Sequence, residues 1–241
     1  MNYKFDTHTH TYASGHAYNT MNEMAKAAKE KGLEMLAITD HAPAMPGTAT
    51  KMHFLNLRAC PREKYGIRLM HGVELNIIDF DGKIDLEGEI LQQMDICIAS
   101  LHIPCLKPGT PEQNTNAYLS VMKNKYIDII GHPDDGRYPV CYEKLVAAAK
   151  ENGVLLEVNN SSLLSGSFRP GAYENYCKLL TLCKKERVPI VLGSDAHVEE
   201  AVGNFAEAEM LLQEIDFPAE LIMKTDLKKF ENFLDARRLS W

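Results

Sequence analysis

Along the 241 residues, short apolar runs alternate with longer stretches of helical periodicity. The runs are Tyr3-Lys4-Phe5, Met35 to Thr39, Arg68 to Leu75, Ile96 to Leu101, Ile127 to Gly131, Val154 to Val158 and Pro189 to Gly193. Most are rich in branched side chains, as strands buried on both faces require. Between them lie helices with legible starts. Thr20 with Glu23 forms a capping box ahead of Met21, Met24, Ala25 and Ala28, and Gly32 stops that helix. Thr110-Pro111-Glu112-Gln113 opens a second one, with Pro at its first position. A helical patch surrounds Phe54, Leu55 and Leu57, and helices are expected over Tyr142 to Asn152 and Tyr173 to Glu186. Asp79 to Gly82 reads as a turn, and the tail from Ala206 to Arg238 as mostly helical, with an apolar piece at Leu221-Ile222-Met223.

Strands alternating with helices predict an α/β fold with a parallel sheet. Seven strands in this length predict a distorted (β/α)7 barrel of the TIM-like kind, as a single domain over residues 1–241. An open doubly wound sheet is the alternative, but no Gly-x-Gly-x-x-Gly turn follows the first strand.

Charge and composition narrow the function. The net charge is −7 and no basic run is present, which argues against long nucleic acids and anionic membrane surfaces as partners. No apolar run approaches 18 residues and the N-terminal stretch is polar, so a cytoplasmic protein is expected. Six scattered cysteines without a Cys-x-x-Cys pair read as reduced, mostly buried thiols.

The chemistry gathers where the strands stop. His8 and His10 follow the first strand and share a face if the chain stays extended, about 7 Å apart. His41, Glu74, His102 and His132 close the next strands, and Asp195 with His197 repeats the i, i+2 logic after the last. His16 adds a ligand from the loop after the first strand. Seven of the nine histidines thus lie at or just past a strand's carboxyl end, the rim where β/α barrels build active sites. Asp40, adjacent to His41, cannot point inward with it and is expected to orient an imidazole from behind. His71 and His53 are set aside, the first as packed on the opposite face and the second as a loop residue.

Nine ligands exceed what one or two ions use, so three divalent metals are expected, zinc first among them. Neutral imidazoles and two carboxylates leave such a site at about +4, or about +3 with a bridging hydroxide. A multiply charged anion suits it, and a phosphate monoester fits best, with a metal-bound hydroxide as nucleophile. No side chain stands out as a general acid. Arg137, Asn160 and Arg169 follow later strands and are candidates for holding phosphate.

Asp6-Thr7-His8-Thr9-His10, Thr39-Asp40-His41, Gly72-Val73-Glu74, His102, His132 and Ser194-Asp195-Ala196-His197 together resemble the PHP (polymerase and histidinol phosphatase) superfamily. The likeness is closest to its YcdX-type phosphatases, through Ser14 to Tyr18, Ile38 to His41, Val158 to Ser162 and Leu192 to Asp195. It covers essentially the full length. The resemblance implies a distorted seven-stranded barrel with a trinuclear site, usually zinc and in some members manganese or iron. It assigns His8, His10, Glu74 and Asp195 to one metal and His16, His41 and His197 to a second. Glu74, His102 and His132 hold the third, with Glu74 bridging. It further implies a homo-oligomer such as a trimer. The substrate expected is a small phosphorylated compound. Alternatives are a phosphodiesterase or nuclease acting on small nucleotides, a histidinol phosphatase by family analogy, a metal-dependent amide hydrolase and a metal-buffering protein.

Overall fold

The computed structural model describes residues 3–223 and 226–239. Its strands are β1 (Phe5–Asp6), β2 (Met35–Ile38), β3 (Glu63–Lys64), β4 (Ile67–Asn76), β5 (Ile96–Ser100), β6 (Ile129–Ile130), β7 (Leu155–Asn159) and β8 (Ile190–Gly193). The α-helices are α1 (Met21–Glu30), α2 (Lys51–Asn56), α3 (Gly88–Leu91), α4 (Pro111–Val121), α5 (Tyr142–Asn152), α6 (Asn160–Leu163), α7 (Ala172–Glu186), α8 (Ala206–Glu214) and α9 (Leu227–Leu239). Both expected capping boxes are present, on α1 and α4. Lys224 and Thr225 of the expected tail, and Met1, Asn2, Ser240 and Trp241 of the expected domain, lie outside the described residues. Among the described residues, no helix is long and apolar enough to cross a membrane. Of the six cysteines only Cys97 and Cys183 are buried; the other four are partly exposed, fewer buried thiols than expected.

Seven strands run parallel in the order β1-β2-β4-β5-β6-β7-β8, and β3 adds an antiparallel hairpin to β4. The single-domain sheet is nearly closed into the expected barrel. The seam between β8 and β1 is joined beyond the strands, by a parallel bridge between Thr9 and Ala196. There the Asp195 amide donates to the His8 carbonyl at 2.9 Å and the His10 amide to the Ala196 carbonyl at 2.8 Å. Asp6 clamps the same seam, its carboxylate accepting from the backbone amides of Ser194 and Gly203. It holds backbone rather than orienting His8 or His10 by their rings. The β3 hairpin was not expected: it turns through Tyr65-Gly66, both at positive φ, without the Asn-Gly that usually marks such a turn.

Inward positions explain the layering. Side chains two apart share a face of a strand. On β4 Met70 leads to Gly72, Glu74 and Asn76; on β7 Leu155 leads to Glu157 and Asn159; on β8 Val191 leads to Gly193 and then Asp195. The lower part of that face is apolar, where Phe5, Met35, Met70, Ile96, Ile98, Ile129, Leu155 and Val191 form one buried cluster. The upper part carries the polar chemistry. Helices cover the outside of the sheet, with Leu145, Val146, Leu179 and Leu180 among the core residues they contribute.

The floor is closed from the C-terminal side. Phe230 of α9 stacks on Phe5 with ring centroids 4.7 Å apart, and Leu234 and Met223 join that cluster. Arg237 of the same helix donates to the carbonyls of Asn152 and Ile127. Met223 N bonds the Ile190 carbonyl at 2.8 Å, so the apolar piece before α9 extends the sheet locally. Phe230→Ala removes a fully buried ring and should cost about 3–5 kcal/mol of unfolding free energy, measured by urea denaturation. A loss below about 1 kcal/mol would show that α9 is not the barrel's floor.

Candidate active site

Glu74 lies at the centre of the upper layer. Its Oε1 is 3.0 Å from His132 Nε2, 3.2 Å from His102 Nε2 and 3.4 Å from His8 Nε2. Its Oε2 is 2.6 Å from His41 Nδ1 and 3.6 Å from His10 Nε2. Asp195 Oδ1 stands 3.2 Å from His10 Nε2 and 3.6 Å from both His8 Nε2 and His197 Nδ1. His16 reaches in from its loop, its Nε2 3.3 Å from His41 Nε2 and its ring 4.8 Å from that of His197. All nine candidate ligands therefore belong to one contiguous cluster. Only His16 is exposed and only His197 half-buried.

Partners on the far side of the rings set which nitrogen faces inward. Glu157 Oε1 takes His8 Nδ1 at 2.7 Å, and Asn76 Oδ1 takes His102 Nδ1 at 2.7 Å. The Asp195 carbonyl takes His197 Nδ1 at 2.9 Å. His10 Nδ1 meets Ser14 Oγ at 3.0 Å, and Ser14 Oγ in turn donates to Asp40 Oδ1 at 2.6 Å. Asp40 thus acts on His10 through a hydroxyl, not on an imidazole directly as expected. Its carboxylate also fixes the turn after β1, accepting from the Thr11 amide at 2.7 Å and hydroxyl at 2.8 Å. This bonding assigns the proton of His10 and His102 to Nδ1 and aims the lone pair of each Nε2 at the centre, and His8 likewise turns Nδ1 to Glu157 and Nε2 to the centre.

The centre fits divalent cations. His8 Nε2, His10 Nε2, His41 Nδ1, His102 Nε2 and Glu74 Oε2 are buried without a hydrogen bond, the close His41–Glu74 approach being too poorly aligned to count as one. Among the described residues, three groups have ligand atoms all within 4.8 Å of one another: His8, His10, Glu74; His10, His41, His197; and His41, Glu74, His102. The first falls within the set assigned to one metal by resemblance. The second has His10 in place of His16, and the third has His41 in place of His132.

Protonation states suit the same chemistry. Burial drives His10 well below the ordinary imidazole range, helped by His197 and His41. Burial likewise lowers His16 and His102. Burial alone would push the Glu74 carboxyl up, yet His102, His41 and His8 hold it well below the carboxylate range. Asp195 is depressed against burial in the same way, by His8 and Arg169. At His8 burial opposes charge, but Glu157, Glu74 and Asp195 outweigh it and raise the imidazole, so positive charge is drawn to this point. Neutral imidazoles beside ionised carboxylates are the donor set of zinc-type sites. Two candidate ligands carry backbone strain: His132 and Asp195 lie at φ of 30° and 56°, unusual for residues other than glycine.

A cavity of about 770 Å³ opens beside the cluster. Of the phosphate-holding candidates, Arg169 is buried in its wall. It donates to Asp195 Oδ2 at 3.0 Å, Ser162 Oγ at 3.0 Å and Asn159 Oδ1 at 3.3 Å, while its Nε has no partner. Arg137 lines the cavity with its guanidinium paired to Asp135 at 2.6 Å. Asn160 also lines it, but its Oδ1 accepts from the Ala208 amide at 3.0 Å and so anchors α8. His71 is buried within β4 and His53 sits on α2, its Nε2 3.7 Å from Asp40 Oδ2; neither belongs to the cluster.

Sequence reasoning missed Glu157, Asn76, Asn159 and Ser14. Glu157 also accepts from the His132 amide at 2.8 Å, so one carboxylate fixes two candidate ligands. The signal was present: it is a lone charge inside an otherwise apolar strand. Asn76 could have been found two residues past Glu74, on the same face.

The PHP domain family model matches residues 6–161. A probable phosphatase of Acetivibrio thermocellus is 47% identical, over 99% of this chain and 98% of its own length. One of Clostridium novyi is also 47% identical, over 98% and 96%. The histidinol phosphate phosphatase of Lactococcus lactis, solved with zinc, L-histidinol and phosphate, matches with a TM-score of 0.63 at 21% identity, over 89% of this chain and 94% of that one. A chain of the archaeal ribonuclease P complex with mature tRNA matches at 0.61 and 18% identity, over 98% and 92%. At these identities the structural likenesses speak to the fold alone.

Gly193 leaves the space that Glu157 and His8 occupy: a Cβ there would stand 2.0 Å from Glu157 Oε1 and 2.8 Å from His8 Cβ. Gly193→Ala should therefore destabilise the fold by about 1–3 kcal/mol, read from denaturant unfolding. Unchanged stability would mean that the Glu157–His8 pair is not held against β8.

Proposed function

This chain belongs to the PHP-domain family and is a phosphatase, and from that premise we propose that it is a metal-dependent phosphomonoesterase acting on a small organic phosphate. The observation that carries the reading is the set of buried, unpartnered nitrogens and the Glu74 oxygen facing one another beside an open cavity. His8, His10, His16, His41, Glu74, His102, His132, Asp195 and His197 would hold three divalent ions, zinc first and manganese or iron as alternatives. Such ions, when bound, supply Lewis-acid charge and the means to ionise water near neutral pH.

The chain's own residues do the rest. Glu157, Asn76 and the Asp40–Ser14 pair keep the ligand imidazoles in one tautomer and orientation, so the donors are in place before any ion arrives. Glu74, with five histidine nitrogens within 3.6 Å of its two oxygens, would offer both oxygens to the ions. Arg169 carries a buried positive charge in the cavity wall, suited to an anionic phosphoryl group. Burial lowers the His102 imidazole that borders the cavity, so it is not a proton donor to the leaving group.

Metal analysis of the purified protein should find about three ions per chain, and chelation should abolish hydrolysis of phosphomonoesters. One metal or none, with full activity in excess chelator, would overturn the reading. The metal-loaded protein should melt higher than the stripped one, because saturation at 100 times Kd contributes about 2.7 kcal/mol per independent site. Equal melting temperatures would mean that the ligands do not act together. Glu74→Gln should lower the metal content by more than one ion, whereas His16→Ala should lower it by one at most.

A further inference from the structure

The cavity beside the cluster is larger than a phosphate needs, and apolar side chains line it together with the polar ones. Met45, Pro46, Ile103, Pro104, Leu164 and Phe168 supply much of that apolar lining. Phe168 is 65% exposed, and the exposed Leu164 and Val198 line the same cavity, so exposed apolar surface is gathered here. Phe168 is nonetheless braced: the guanidinium carbon of Arg169 lies 5.0 Å from its ring centroid and that of Arg137 lies 5.1 Å away. Each guanidinium is fixed in turn, one by Asp195 and the other by Asp135. The ring therefore stands at the mouth as a supported flat surface rather than a loose side chain.

What the wall lacks is equally specific. Among the described residues, the only carboxylate lining the cavity is Asp195. Its Oδ2 is taken by Arg169 at 3.0 Å and Asn159 at 3.2 Å, and its Oδ1 faces His8 and His10. No carboxylate is left to receive an ammonium group on the substrate. An organic part bearing a cation would enter a cavity with two arginines and no free counter-charge, at a desolvation cost nothing offsets.

Resting on the phosphomonoesterase reading, we propose that the preferred substrates are phosphate monoesters whose alcohol carries a planar, uncharged aromatic group, seated against Phe168. Aryl-substituted alcohols and nucleosides share that chemistry. The phosphoryl end lies toward the histidine cluster and Arg169, and the aromatic end against Phe168 and its apolar neighbours. Phe168 is then a specificity-determining residue that acts on binding of the organic part.

The test compares esters of similar leaving-group basicity on the metal-loaded protein: benzyl phosphate, ethyl phosphate, 2-aminoethyl phosphate and a nucleoside 5′-monophosphate. Benzyl phosphate should exceed ethyl and 2-aminoethyl phosphate in kcat/KM by about tenfold or more, the worth of one good aromatic contact. Phe168→Ala should collapse that ratio toward one, and Phe168→Trp should keep it. The nucleotide separates the two sources: a rate matching benzyl phosphate favours nucleosides within the class, and a rate matching ethyl phosphate restricts it to simple aryl alcohols. A flat profile, or a preference for 2-aminoethyl phosphate, overturns the aromatic preference while leaving the phosphomonoesterase intact. Calorimetry with benzylphosphonate and ethylphosphonate gives a readout independent of turnover. If no ester is hydrolysed yet benzylphosphonate binds tenfold tighter and Phe168→Ala removes the difference, the subsite stands and the phosphomonoesterase reading falls. If neither turnover nor that difference appears, both fall.

Discussion

A fully buried carboxylate surrounded by imidazoles is the constraint on which this molecule depends. Glu74 is inaccessible to solvent, and ionising it there costs several kcal/mol unless positive charge or donors surround it. The strand ends supply five histidine nitrogens within 3.6 Å of its oxygens. Ser100 adds a hydroxyl at 2.6 Å. Four of those nitrogens, on His8, His10, His41 and His102, face the same problem in reverse, since a buried polar atom without a hydrogen bond is itself costly. A set of this kind is at odds with itself as packed protein and at ease around cations. The polar layer is therefore the least self-sufficient part of the barrel and the part most suited to being completed by a ligand.

Holding that set in place falls to the layers around it. The apolar cluster below, floored by Phe230 on Phe5, supplies burial without any demand on the polar atoms. Between the layers the sheet carries small residues. A Cβ at Gly131 would lie 2.2 Å from Ser100 Oγ, much as one at Gly193 would collide with Glu157. Seven strands make a tight barrel, and side chains as long as Glu157 and Glu74 fit its interior only where neighbours give up theirs. The seam between β8 and β1 follows the same economy. It is closed by backbone bonds at Thr9 and Ala196, between His8 and His10 on one side and Asp195 and His197 on the other. Four candidate ligands thus gain their positions from the closure of the barrel itself.

The sequence was legible where one side chain sufficed to signal a role. Apolar runs gave the seven parallel strands, and the two capping boxes marked the starts of α1 and α4, because burial and capping act through short stretches of chain. The histidines were visible because they recur after strand after strand. What was hidden depends on pairs far apart in sequence. Glu157 has meaning only beside His8, 149 residues away, and nothing in its strand names that partner. Asp40 was read as touching an imidazole, and the intervening Ser14 was invisible because a serine in a loop has many ordinary uses. The β3 hairpin escaped for a local reason, since Tyr65 at positive φ is an unusual way to build a turn.

Arg169 joins the two halves of the site. One of its guanidinium nitrogens is bonded to Asp195, whose other oxygen faces His8 and His10, and its flat surface braces Phe168 at the cavity mouth. The Asp195 carboxylate is therefore shared between an arginine in the cavity wall and the histidine cluster. Charge given to one is taken from the other, because a carboxylate polarised toward a guanidinium is a weaker donor elsewhere. An anion that draws the guanidinium toward the cavity would relax its hold on Asp195 and strengthen that oxygen's donation to the cluster.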